Sequence, residues 1–160
     1  VNSRGKTVVN VLYLTLRSDF ERGGQISLAH LIESLPRDRF NPILCLPGDG
    51  TFAQWAKSQA IQTILLPPWS SLRRFPPTQQ AASLLQLRNA IRTFKPAIIH
   101  VDTPRMAHLA WLVRGDARLV IHLRVPDRDG LSDRLLARET DGMIAISSAV
   151  ARRFEGYSEK

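Results

Sequence analysis

Only one cysteine, Cys45, occurs in the 160 residues, so no internal disulfide can staple the fold. No cluster of cysteine and histidine shows the spacing of a structural zinc site. Long apolar runs are scarce as well. The longest, "VVNVLYLTL" and "AIIHV", fall far short of the roughly 20 residues that cross a bilayer, and no secretory hydrophobic region opens the chain. These absences point to a reducing, cytoplasmic setting and to a domain that does not span a membrane. The sequence has no internal repeat, low-complexity tract or long polar linker, so it reads as one domain, and 160 residues suffice for a real core.

Charge is present but dispersed. Lys and Arg number 22 against 14 Asp and Glu, a net charge of +8, and most of the cations are arginine. Arginine recognises phosphate oxygens bidentately, so an anionic partner is favoured. The cations form no run and no aromatic stacking platform accompanies them, so nucleic acid is not expected. A biased base composition would also enrich arginine.

The apolar pattern alternates short strands with helices. Val8 to Leu14 reads as a first strand, followed by a helix with Ile26, Ala29, Ile32 and Leu35 on one face, stopped near Pro36. "NPILCLP" (41–47) is a second strand, and "TFAQ" (51–54) has the form of a capping box opening a short helix. "IQTILLPP" is a third strand. Thr78 reads as the N-cap of a helix carrying Ala81, Leu84, Leu85, Ile91 and Phe94. "AIIHV" (97–101), "RLVIHLRV" (118–125) and "GMIAIS" (142–147) supply strands four to six, with helices at Arg105 to Val113 and Leu131 to Arg138 between them. Such alternation predicts an α/β fold, a Rossmann-like, doubly wound parallel sheet in a three-layer sandwich.

In that architecture ligands bind at the carboxyl ends of the strands, which selects the segments 17–24, 47–50, 102–104, 124–129 and 147–148. Gly23 and Gly24 lack the Cβ atoms that would block a close approach to the unpaired amides of the following helix, so a phosphate or sugar hydroxyl fits there; a plain tight turn is the alternative. The loop is long and contains no G-x-G-x-x-G, which disfavours a nicotinamide or flavin enzyme, and there is no P-loop. His100 and Asp102 lie two apart on one strand and His122 and Arg124 two apart on the next, so each pair shares a face. They serve as substrate contacts or as polar residues satisfied at strand ends. A metal site there lacks a third and fourth ligand, and a Ser-His-Asp triad lacks a nucleophile elbow. The loop at 67–77 sets Trp69 and Phe75 beside Arg73 and Arg74, suited to a lipid headgroup, a carbohydrate or another protein, or to anchoring a crossover.

Taken in order, "GGQISLAHLIESL", "FNPILCLPGDG", "LRNAIRTFKPAIIHVDTP" and "TDGMIAISSAVARRF" resemble the N-terminal half of the family 4 glycosyltransferases, from about Lys6 onward. The resemblance implies the first, acceptor-side domain of a GT-B fold, in which a second domain holds the nucleotide sugar and the glycine pair approaches the donor. It implies a retaining hexosyl transfer to the hydroxyl of a glycan or lipid-linked acceptor, with the nucleotide sugar as co-substrate and no other cofactor. Family members often carry a Thr-x-His pattern at the end of the fifth strand. Here His122-Leu123-Arg124 occupies the place, so the histidine's role passes to Arg124, with His122 as the alternative. His100, Asp102 and Ser147 are expected to line the acceptor side. The chain ends where the family continues into a donor domain, so a fragment that is inactive alone is expected, with its own C-terminal domain as partner and peripheral membrane contact possible. A nucleotide-sugar epimerase and a non-catalytic module binding anionic ligands are the rival functions.

Overall fold

The computed structural model describes residues 7–21, 23–66, 77–127 and 129–157. Trp69, Arg73, Arg74 and Phe75, noted above as a possible contact surface, lie outside the described residues. The strands are β1 (Val9–Leu14), β2 (Phe40–Leu46), β3 (Gln62–Leu65), β4 (Ile98–Val101), β5 (Arg118–Leu123) and β6 (Gly142–Ala145). They form one parallel sheet in the order β3-β2-β1-β4-β5-β6. Each strand leads into a helix: α1 (Gly23–Ser34), α2 (Thr51–Ser58), α3 (Pro77–Phe94), α4 (Pro104–Val113), α5 (Gly130–Glu139) and α6 (Ser148–Ala151). A 3₁₀ turn, Arg152–Phe154, follows α6. This is the Rossmann-like, doubly wound α/β sheet that the alternation predicts.

Side chains alternate across a strand, so β1 feeds two cores at once. Leu12 and Leu14 pack with Leu87 and Ile91 of α3, Met106 and Ala110 of α4, and Leu136 of α5. Val11 and Tyr13 point the other way, onto Leu28 and Ile32 of α1 and Phe52 and Ala56 of α2. The sheet is thus sandwiched between two helical layers. Over β5 and β6 the α1 side is more open, with Val120 and His122 half-buried and Ile144 exposed.

Three local expectations are corrected. The buried face of α1 is Gln25, Leu28, Ala29 and Ile32, whereas Ile26 is exposed and Leu35 lies beyond the helix end. Steps of three drift by roughly 60° around a helix of 3.6 residues per turn, so Ile26 cannot share a face with Ile32. On α3 the buried stripe is Ser83, Leu87, Ala90 and Ile91, with Leu85 exposed, and Thr78 lies inside the helix that Pro77 opens, not before it.

The third correction concerns α2, whose N-cap is Gly50 and makes no side-chain cap. The loop before α1 does that work from outside. Asp19 Oδ1 accepts from the Thr51 amide at 2.9 Å, and the Ser18 carbonyl accepts from the amides of Phe52 at 2.8 Å and Ala53 at 3.4 Å. The Thr51 hydroxyl accepts in return from the Phe20 amide at 3.0 Å, and Phe20 packs edge-on against Phe52 and Trp55. Three orphan amides of α2 are satisfied, and the loop leading to Gly23 is fixed at the same time.

Gly50 makes this docking possible, since a Cβ there would stand 2.2 Å from Asp19 Oδ1 and 2.5 Å from the Ser18 carbonyl oxygen. Asp19→Ala removes a helix cap and is expected to cost about 1 kcal/mol of stability. Gly50→Ala forces the backbone of the docked loop to shift and is expected to cost about 1–3 kcal/mol. Urea unfolding of the two variants checks both, and an unchanged midpoint for Gly50→Ala would mean that the loop is not docked.

Candidate functional site

The strand order reverses direction between β1 and β4, and at such a switch point the crossovers leave to opposite faces and open a crevice at the carboxyl edge. Three strand ends meet there. Thr15 follows the end of β1, His100 lies on β4 with Asp102 just beyond its end, and Arg124 directly follows the end of β5, not within the strand as the sequence pattern predicts.

Thr15, buried at 2% exposure, ties two of these ends together. Its hydroxyl donates to Asp102 Oδ2 at 3.1 Å. It accepts in turn from the Gln25 side-chain amide and the Arg17 backbone amide, both at 3.4 Å. Gln25, the residue after the glycine pair, is itself buried. Neither Thr15 nor Gln25 was selected by the sequence. The carboxyl-end rule set the segment two residues too late for Thr15, and the position next to Gly24 was the only cue for Gln25.

Gly24 and Arg124 meet. A Cβ on Gly24 would lie 3.5 Å from Arg124 Nη1, 3.6 Å from its Cζ and 3.7 Å from Nε. The guanidinium therefore lies against the bare Cα at the entrance of α1. Gly23 has nothing within 4 Å of its own Cβ position and faces solvent. The residue after Arg124 is tethered from below. Arg153 Nη1 donates to the Val125 carbonyl at 3.4 Å, while Arg153 Nε and Nη2 donate to Asp133 Oδ1 at 2.9 and 2.5 Å. That ion pair is buried on both sides, with Asp133 also accepting from the Asp129 amide. Removing one partner of such a pair costs on the order of 3–5 kcal/mol, so the β5–α5 connection is held firmly.

His100 sits under this arrangement. Its ring is tilted against Tyr13 at 5.2 Å and edge-on to His122 at 5.8 Å. Burial first, and then the neighbouring His122 and Arg124, push its pKa down to about 4. His122 is lowered by burial and by Arg124. Burial raises the pKa of Asp102 against the opposing pull of Thr15 and Arg124. The buried side-chain nitrogen and oxygen atoms without a hydrogen-bond partner among the described residues are Gln25 Oε1, His100 Nε2, Asp102 Oδ1 and Arg124 Nε and Nη2, all belonging to this cluster. Leaving such atoms unpaired is costly, and their concentration at one sheet edge makes this cluster the candidate site.

Ser147 stands apart from the cluster. Its hydroxyl accepts from the Val150 amide at 3.3 Å and caps α6. Among the described residues no three His, Cys, Asp or Glu side chains are grouped to hold a metal ion, and no helix is long and apolar enough to cross a membrane.

A Rossmann-like domain with a polar cluster at the switch point, beside a bare glycine, is the class of protein defined so far. The family model for Glycosyltransferase Family 4 matches residues 22–159, and the chain belongs to that family. No functionally curated protein matches the sequence significantly. Among solved structures, Anabaena Alr3699/HepE in complex with UDP-glucose is similar at 19% identity and a TM-score of 0.69, over 94% of this chain and 41% of that one. MurG of Acinetobacter baumannii matches at 11% identity and a TM-score of 0.62, over 86% of this chain and 41% of that one. A UDP-N-acetylglucosamine 2-epimerase matches at 14% identity and a TM-score of 0.63, over 96% of this chain and 46% of that one. The fold is thus shared with GT-B proteins, and the chain spans less than half the length of the structures it matches.

The histidine shifts fix a pH dependence. Between about pH 6.5 and 4 the folded state keeps His100 neutral while the unfolded chain takes up a proton, so stability is present above that window and is lost as the pH falls through it. Asp102 works in the opposite sense, because its raised pKa favours the folded state on acidification. His100→Gln should remove the histidine part, about 2 kcal/mol of the difference between pH 7 and pH 5. Urea midpoints at the two pH values check this, and equal losses in wild type and variant would contradict the burial of a neutral His100.

Proposed function

We propose that this domain is the acceptor-side half of a retaining glycosyltransferase, which moves a hexose from a nucleotide sugar to a hydroxyl of a glycan or lipid-linked acceptor. The contact between Gly24 and the Arg124 guanidinium, above the unpaired polar atoms of the crevice, carries this reading. UDP-glucose is bound by HepE of similar fold, which favours a nucleotide-sugar donor here as well. Transfer of this kind depends on positioning and on stabilising the departing diphosphate. The amides opening α1 and the Arg124 guanidinium supply positive charge at the edge where a donor would arrive. Gln25, His100 and Asp102 offer acceptors to the hydroxyls of a sugar, with His122 beside them and Gly23 leaving the entrance open. The donor-binding groups belong to a second, C-terminal domain, and no cofactor beyond the donor is needed. The setting is cytoplasmic, with peripheral contact to a membrane if the acceptor is lipid-linked.

Transfer by the chain on its own, given UDP-glucose and a range of acceptors, is expected to be absent, and measurable product would contradict the two-domain reading. In the complete enzyme Gly24→Ala should be tolerated, since its Cβ would make ordinary contact with Arg124, whereas Gly24→Leu should displace the guanidinium and lower kcat/KM at least tenfold. Unchanged turnover and donor affinity in Gly24→Leu would remove this loop from the site. The similarity to a UDP-N-acetylglucosamine 2-epimerase keeps a second reading open, and product analysis without acceptor separates them, since only an epimerase alters the sugar of the nucleotide itself.

A further inference from the structure

One side chain bridges α4 and α5. His108, on α4, meets Glu139 through Nδ1 at 2.5 Å and Ser132 through Nε2 at 3.1 Å. Both partners belong to α5, seven residues apart, so they lie on one side of that helix two turns from each other. A carboxylate can only accept, so Nδ1 donates to Glu139, and in the neutral ring Nε2 then accepts from the Ser132 hydroxyl. Hydroxyl, base and orienting carboxylate stand in series. These are the distances and roles by which an activated serine is recognised on unrelated folds.

The surroundings add two features that a purely structural bridge does not need. Trp111 and Leu112 follow His108 by three and four residues, and Leu135 follows Ser132 by three, so they flank the bridge along the two helices. With Leu131 they are among the exposed large apolar side chains, from 37% to 72%, and offer an acyl or aryl group a surface to lie on. The His108 side chain retains 29% exposure, so the base is reachable, while Glu139 is sheltered at 12%.

We propose that Ser132 is an activated nucleophile and that the exposed apolar surface beside it takes hydrophobic carboxylic esters, an activity separate from sugar transfer. Ser132 Oγ attacks the ester carbonyl carbon while its proton passes to His108 Nε2. The bond from that carbon to the alcohol oxygen then breaks, and the departing alkoxide takes the proton from His108. Water attacks the acyl-serine with the same base, which releases the carboxylic acid and restores the hydroxyl. Glu139 holds the ring and stabilises the imidazolium without taking up the proton.

The test treats the chain with an alkyl fluorophosphonate and, separately, with p-nitrophenyl butyrate. Peptide mapping follows the first and p-nitrophenol release the second. Ser132 should be phosphonylated on the order of 100-fold faster than the exposed Ser34, whose hydroxyl donates to the Leu31 carbonyl instead of to a base. His108→Gln should slow labelling of Ser132 at least tenfold, and Ser132→Ala should abolish ester turnover. Labelling of Ser132 in the wild-type chain no faster than Ser34 overturns the proposal whatever the variants do, and so does ester turnover that survives Ser132→Ala.

Discussion

The reversal of strand order between β1 and β4 is the constraint from which the crevice follows. Parallel neighbours demand crossovers, and right-handed crossovers leaving in opposite directions from two adjacent strands draw their helices to opposite faces. The backbone between them is left uncovered at the carboxyl edge. Thr15 at the end of β1 and Asp102 just past the end of β4 then stand close enough for a hydrogen bond, and the entrance of α1 hangs over both. The polar cluster exists because the topology brings three strand ends to one place.

What keeps that edge rigid is a set of ties to parts of the sequence far away. The loop before Gly23 is pinned by the amides of α2, which takes its cap from Asp19 and Ser18 and not from itself. The connection after Arg124 is pinned by Arg153, whose buried pairing with Asp133 joins α5 to the turn after α6. The Gly24–Arg124 contact thus lies between two loops fixed from outside. Preorganisation of this kind lets polar groups act on a ligand without first being ordered by it.

The sheet was legible in the sequence because each strand is a short β-rich run, and the alternation with helices admits few topologies. Gly24 and Arg124 were legible through position, one opening a helix after β1 and the other closing β5. What escaped had a common cause. Ile26 and Thr51 were assigned from local pattern, but Ile26 is turned outward by the drift of a three-residue spacing, and Thr51 yields capping to Asp19, 32 residues away. Thr15 and Gln25 were invisible as site residues because nothing in their neighbourhood says that Asp102 will come to meet them. The bridge through His108 joins positions 24 and 31 residues apart on two helices, and sequence spacing carries no trace of it.

The most direct test of the central claim is a crystal structure of the protein with a nucleotide sugar bound. The account predicts the ligand in the crevice between β1 and β4, with the Arg124 guanidinium within hydrogen-bonding distance of it and its diphosphate or sugar close to the Cα of Gly24. A ligand bound elsewhere, with Gly24 and Arg124 still packed only against each other, would contradict it.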